Sequence, residues 1–478
     1  MHQLYELNVR TWRTERSAVI GRSATLDDLS DDFLDELVEA GFTWLYLLGV
    51  WPTGPLARKV AQDDRHLTGY LRGVLPDFGA DDLTGSPQAP LGYAVDPALG
   101  GDAALGRLRH RARAAGLSLM LDIFPNQVGL DHPWTVEHPD WFIRGDERAL
   151  RERPDAHVRL GEHIFCHGRD PFFAPWRATV QLDYGNDAVQ QAMLEDIAAV
   201  AAKCDGLRCD LAMLLLPDVF GSTWGRKIKP FWPSCIERVR AEHPGTLFVA
   251  EVYWNREYDL QQAGFDFTYD KILYDRLLAG DAASIRAHLG ANLDYQRRCV
   301  RFLENHNEQR AAARFPHPDH HRGALFITGM VPGMLLCHHG QEDGRVLHAS
   351  LPACRRPPED GRDEHRANHR DLLHLLGESA RMHGEWKLLT ARGDQRNPVV
   401  CCLWTQQAHV GLLVAVNASW QPCRSAVDAG PLAGRDQRFQ EVFGGADWEL
   451  SAADLRHHGL IVDLPAWGTL AVRVCTRC

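Results

Sequence analysis

The chain has 478 residues, enough for one large α/β barrel with a smaller domain, or for two or three average domains. Hydrophobic content of 45% and charged content of 24% are those of an ordinary globular protein. A net charge of −11 argues against a nucleic-acid or anionic-membrane partner, since either needs a basic face, and no run approaches the length of a membrane span.

Strand and helix signals alternate along most of the chain, which predicts a parallel sheet with crossover helices. Residues 4–10 read as a first strand, 28–40 as a helix closed by Gly41, and 42–49 as a second strand, apolar on both faces. Residues 53–92 are rich in Gly, Pro and Asp and read as a long irregular working loop. A helix over 101–115 and a third strand over 117–124 follow. Residues 125–185 carry aromatic and proline clusters and read as a loop-like excursion after the third strand. A helix over 189–202 leads to strands at 206–211, 246–252, 265–269, 300–304 and 332–337. Eight strands with intervening helices predict a closed (β/α)8 TIM barrel over 1–386. From 387 to 478 short strands are separated by Gly, Pro and Asp turns, which predicts an all-β sandwich.

The N-terminus, Met1-His2-Gln3-Leu4, shows no charged and apolar leader, and the 12 cysteines have no framework spacing. The expectation is a cytoplasmic protein with reduced thiols. Cys475 and Cys478 have the spacing of half a zinc site, but no second pair completes it. Neither a metal nor another cofactor is expected. The 24 histidines mostly lie in polar stretches such as 316–321 and read as solvated.

On a barrel of this kind the chemistry sits at the C-terminal ends of the strands. Those ends carry Asp122, Asn126 and Gln127 after the third strand, Arg208 and Asp210 on the fourth, Glu251 after the fifth, and Asn305-His306-Asn307 after the seventh. Arg208 and Asp210 are two apart and so share a face of their strand. That placement is costly unless the two pair or line a cavity. Taken alone, the pattern fits a structural ion pair as well as a site. Two carboxylates on adjacent strand ends suit glycoside chemistry, one attacking the anomeric carbon and the other protonating the departing oxygen. Arg208 is expected to keep Asp210 ionised, and the apolar run before Glu251 to raise its pKa toward acid duty.

These segments, in this order, resemble the signature regions of the α-amylase family of retaining (β/α)8 α-glycosidases and transglycosylases. Asp122 and Asn126 match its Asp-x-x-x-Asn-His, Gly206, Arg208 and Asp210 match Gly-x-Arg-x-Asp, Glu251 matches the acid glutamate, and Asn305 and His306 match Asn-His-Asp. Gly92-Tyr93, the segment 339–342 and the closing segment 464–468 add to the likeness, which runs over essentially the whole chain. The resemblance implies Asp210 as nucleophile and Glu251 as acid/base. It implies Tyr93, Asp122, Gln127, Arg208 and His306 as substrate contacts, and a small-molecule carbohydrate as partner.

Two positions depart from the family pattern. Gln127 stands where the family has histidine, and Asn307 where it has its third catalytic aspartate. Met213-Leu214 replaces the Lys-His pair that follows the nucleophile in amylases, so no family-type calcium and no long starch substrate are expected. Two readings follow. One is a retaining α-glycosidase or transglycosylase acting on α-linked glucosides or short α-glucans. The alternative is a catalytically impaired relative that binds carbohydrate or serves as a regulatory partner.

Overall fold

A computed structural model describes residues 2–392, 397–406 and 410–476. Eight parallel strands close into a barrel. They are β1 (Gln3–Asn8), β2 (Trp44–Leu48), β3 (Ser118–Ile123), β4 (Gly206–Cys209), β5 (Leu247–Ala250), β6 (Phe267–Tyr269), β7 (Cys299–Arg301) and β8 (Met334–His338). Each lies beside its neighbours in the sequence, in the order β1-β8-β7-β6-β5-β4-β3-β2. The expected barrel is therefore present, with strands one to three residues shorter than the apolar runs suggest. The first strand, for example, stops at Asn8, whose side chain accepts the N–H groups of Arg10 and Thr11 and so caps a helix over Val9–Ile20.

Contacts divide the chain into two compact units. One holds Leu4–Tyr269 with Leu347–Glu359, and so β2 to β6 and nearly all of β1. Within it, residues 53–92 are not the irregular loop read from the sequence. Helices Pro55–Asp63 and Arg65–Val74 fold there over a small core of Ala61, Leu71, Leu75, Leu83 and Ala353. The residues that read as loop are helix ends. Pro55 sits in the first turn, where its missing N–H costs nothing, and Asp64 accepts the N–H groups of His66 and Leu67. The excursion is also more ordered than expected. Gln127–Gly129 pairs antiparallel with Thr179–Gln181, and His157–Leu160 pairs with His163–Cys166.

The other unit holds β7, β8, helices Pro318–Met330 and Asp363–Leu376, and the C-terminal strands. Glu385–Leu389, Val399–Gln406, Val410–Asn417, Gln437–Glu441, Asp447–Leu450 and Thr469–Thr476 form one antiparallel sheet, and Cys423–Val427 with Leu460–Leu464 forms a second. Val399, Cys401, Leu403, Leu413 and Val472 from the first share a buried core with Val427, Leu460 and Val462 from the second. This is the expected all-β module. The apolar run 409–416 also reads as a strand from the sequence; the strand is described from Val410, His409 lying outside the described residues.

The stretch 316–321 is only partly solvated. His317 is exposed, but His320 and His321 are buried on the first turn of Pro318–Met330, where His320 meets the carbonyl of Leu277. A helix buried at every position from 320 onward except Arg322 draws its polar start inward with it. Among the described residues, no helix is long and apolar enough to cross a membrane, and no group of three or more His, Cys, Asp or Glu is placed to hold a metal ion. Cys475 is exposed, and its partner in spacing, Cys478, lies outside the described residues.

Candidate active site

Register sets the site. On β3 and β4 Asp122 lies opposite Arg208, and on β4 and β5 Cys209 lies opposite Ala250. Asp210 and Glu251 follow that last pair by one residue each and so leave neighbouring strands at one level. The main chain ties them there. The N–H of Asp210 donates to the carbonyl of Ile123 over 2.9 Å, and that of Glu251 to Cys209 over 3.0 Å. Neighbouring strands run about 4.8 Å apart, so the two carboxyls sit within reach of one substrate atom.

Arg208 is the hub. It is fully buried, and its guanidinium reaches three carboxylates: Nη1 donates to Asp210 Oδ1 at 2.7 Å and to Asp122 Oδ1 at 3.4 Å, and Nη2 pairs with Glu251 Oε2 at 2.9 Å. Burial works against its charge, but Glu251, Tyr46 and Asp210 outweigh that and raise its pKa well above the ordinary arginine value. The Tyr46 hydroxyl donates to Asp122 Oδ1 over 2.5 Å, and Trp51 Nε1 to the carbonyl of Asp122 over 3.0 Å. Replacing one member of such a buried set leaves its partners charged and unpaired. Arg208→Leu is therefore expected to destabilise the protein by about 3–5 kcal/mol at pH 7.5, and by less at pH 5, where the orphaned carboxyls can take up protons. Urea midpoints at the two pH values check this, and an equal loss at both would contradict it.

The electrostatics correct two expectations. Arg208 does not hold Asp210 at an ordinary carboxylate pKa. Burial first, and the facing Glu251 second, push Asp210 up to about 7 against the pull of Arg208. One guanidinium cannot neutralise three carboxylates in a buried cluster, so the charged form of Asp210 is disfavoured. Nor are the surroundings of Glu251 apolar. Its Oε2 accepts the N–H of Leu211 at 2.9 Å as well as Arg208, and its Oε1 accepts the Tyr253 hydroxyl at 2.9 Å. Phe248, Val249 and Ala250 before it are buried, but the carboxylate itself is met by a guanidinium, an amide and a hydroxyl. Asp210 Oδ2, by contrast, takes no hydrogen bond from the described residues. An uncommitted oxygen on a carboxylate is what a nucleophile needs.

The other predicted contacts divide into two groups. Tyr93 is buried with its hydroxyl bound to the main chain of Phe124, donating to the carbonyl at 3.3 Å and accepting the N–H at 3.0 Å, and its ring lies edge-on to Trp51. Gln127 is 3% exposed, and its side-chain oxygen accepts Asn126 Nδ2 at 2.6 Å in a network that includes Gln181. These share the first unit with Asp122, Arg208, Asp210 and Glu251. His306 and Asn307 belong to the other unit, just beyond β7. His306 is buried and Asn307 exposed. Asn305 Oδ1 accepts the N–H groups of Asn307 and Glu308 at 2.9 and 3.0 Å, which fixes the turn that carries them.

Three site residues escaped the reading of the sequence. Tyr253 had a signal only in its nearness, since it follows Glu251 by two residues. Tyr46 and Gln88 had none. Tyr46 is far in sequence from Asp122, and Gln88 Nε2 comes to 3.5 Å from Asp210 Oδ1 across 122 residues.

No family model matches the chain. Among curated proteins it is similar to the α-1,4-glucan:maltose-1-phosphate maltosyltransferase of Burkholderia pseudomallei, 30% identical over 257 residues, which are 52% of this chain and 19% of that protein. The enzyme of the same name from Methylacidiphilum infernorum is 26% identical over 301 residues, 60% of this chain and 37% of that protein. The chain thus spans well under half the length of these relatives. Among solved structures, a maltogenic α-amylase from Thermotoga neapolitana superposes with a TM-score of 0.71 at 19% identity, covering 100% of this chain and 99% of that one. The cyclic α-maltosyl-(1→6)-maltose hydrolase of Arthrobacter globiformis follows at 0.65 and 16%, covering 94% and 89%. At such identities the likeness is one of fold, over the barrel and the β module alike.

Proposed function

From a chain with the fold of the α-amylase family, we propose a retaining α-glycosidase or transglycosylase acting on α-linked glucosides or short α-glucans. The observation that carries the reading is the single buried guanidinium of Arg208 shared by two carboxylates at the ends of neighbouring strands. In the first half-reaction Asp210 Oδ2 attacks the anomeric carbon and forms an ester bond. The glycosidic bond breaks, and the departing oxygen takes the proton of Glu251. In the second, Glu251 takes a proton from water or from a sugar hydroxyl, which attacks the same carbon and frees Asp210. The pair thus needs one proton between its two carboxyls at the start, and burial together with the facing Glu251, which raise the pKa of Asp210, disfavours both being charged at once.

The curated relatives are named for transfer between an α-1,4-glucan and maltose 1-phosphate, and this favours a sugar acceptor over water. Tyr93, Asp122, Gln127 and His306 are assigned to holding the sugar. Cys209, Cys235, Cys401 and Cys402 are buried as free thiols, in keeping with a reducing compartment such as the cytoplasm. A covalent intermediate is the direct test. Incubation with an α-glucosyl or α-maltosyl fluoride and rapid acid quench should give a glycosylated protein by mass spectrometry, with the sugar on the peptide holding Asp210. A sugar on any other carboxylate, or substrate consumed with inversion, would refute the assignment.

Asn307 favours a second reading. In place of an aspartate it removes a charge-assisted bond to the sugar, which leaves a carbohydrate-binding or regulatory protein of low turnover.

A further inference from the structure

Glu251 and Tyr253 lie just beyond β5, two residues apart, and a hydrogen bond joins their side chains. Each oxygen of Glu251 is occupied differently. Oε2 accepts Arg208 Nη2 and the N–H of Leu211, both at 2.9 Å, while Oε1 accepts the Tyr253 hydroxyl at 2.9 Å. A proton on Glu251 that displaces neither the guanidinium nor the amide has to sit on Oε1, the oxygen Tyr253 holds. We infer that Tyr253 is a positioning residue for the acid/base: its hydroxyl donates to Glu251 as a carboxylate, turns round to accept from it as an acid, and so sets the pH at which the acid form is available. The inference rests on the assignment of Glu251 proposed above.

The chain beyond Tyr253 is built to keep that hydroxyl in place. Trp254 and Asn255 are consecutive non-glycine residues in the left-handed region, at φ +64° and +60°. Each such residue costs stability and persists where its surroundings over-determine it. Here Phe172 meets the Trp254 ring edge-on at 4.8 Å, and Arg256 closes the turn through Asp218 at 2.8 Å and Asp259 at 2.7 Å. The charged and titratable groups that face Glu251 come from three strands: Arg208 and Asp210 from β4, Tyr253 beyond β5, and Tyr269 on β6, over whose ring the Arg208 guanidinium lies. Asp122 acts through Arg208 from β3. During turnover the proton leaves Oε1 for the departing oxygen and the tyrosine hydroxyl turns to donate. When Glu251 takes the acceptor's proton, the hydroxyl turns back. The tyrosine itself neither gains nor loses a proton.

The test reads Glu251 directly. With glutamate labelled by ¹³C at the side-chain carboxyl, the signal missing from Glu251→Gln is followed against pH in the parent and in Tyr253→Phe. Loss of a donor to the charged form is expected to raise the Glu251 midpoint by about one pH unit. A fluorotyrosine at position 253, a stronger donor, is expected to lower it. An unchanged midpoint in both, or a shift of the same sign in both, overturns the inference. The titration does not depend on turnover, whereas an Asp210→Ala variant that cleaves an activated α-glucoside as fast as the parent would sink the site assignment itself. Where turnover is measurable, the alkaline limb of kcat/KM is expected to move up with the midpoint in Tyr253→Phe, with KM little changed.

Discussion

Asp210→Asn is expected to abolish turnover, by about 10⁴-fold or more, and at the same time to make the protein more stable above neutral pH. The first effect follows from the chemistry, since an amide oxygen in this place cannot form the ester. The second follows from the site's own electrostatics. Asp210 is buried beside Glu251 and titrates near 7 in the folded protein, against about 4 when unfolded. Between those values the unfolded chain gives up its proton while the native chain keeps it, so this group's contribution falls as pH rises from about 4 to 7 and stays low above. Asparagine resembles the protonated form and escapes the loss. The gain is therefore expected to be a few kcal/mol at pH 8 and close to zero at pH 4. Arg208 retains Glu251 and Asp122 as partners in the variant, which keeps the hub paired. Urea unfolding at the two pH values, with an assay on an activated α-glucoside, measures both effects. Undiminished turnover, or a gain as large at pH 4 as at pH 8, would contradict this account.

Asn307→Asp is expected to raise turnover by roughly 10²- to 10⁴-fold, the worth of one charge-assisted hydrogen bond that strengthens as positive charge develops on the sugar. The change is nearly isosteric. The turn at 305–308 is held by the side chain of Asn305 on the main chain of Asn307 and Glu308, and an aspartate leaves those bonds as they are. Asn307 is also exposed, so an added charge carries little desolvation cost. Folding is accordingly expected to survive the change, and the rate constant to report the chemistry alone. A large gain identifies an enzyme short of one carboxylate. No gain, in a variant that still binds maltose or a longer α-glucan, supports the binding or regulatory reading. The Asp210 and Asn307 experiments bear on different claims, the first on which residue attacks and the second on how well the surrounding groups support the attack.

Whatever depends on neighbours along the chain was legible in the letters. Arg208 and Asp210 two apart on an apolar strand announce a polar face because strand side chains alternate, and Glu251 at the end of another strand completes the pair. The eight-strand alternation predicts the barrel for the same local reason. Helices over residues 55–74 were hidden because Gly, Pro and Asp serve both loops and helix ends, and only the packing of Leu71 and Leu75 on Leu83 and Ala353 tells the two uses apart. The strands Val399–Gln406 and Val410–Asn417 are buried along most of their length. One face meets the second sheet's residues, while Trp404 on the other donates to the carbonyl of Met330, a partner no local pattern names.

Residue identities and strand spacing decided that this chain presents an acidic pair and an arginine where a barrel opens. Tertiary structure alone decided how those groups behave. Tyr46 on Asp122 and Gln88 beside Asp210 come from segments far apart in the sequence. The raised pKa of Asp210 arises from burial and because one buried cation faces three carboxylates, a count that exists only after folding. Charge–charge energies depend on distance and on exclusion of water, and the order of residues determines neither until the strands are side by side.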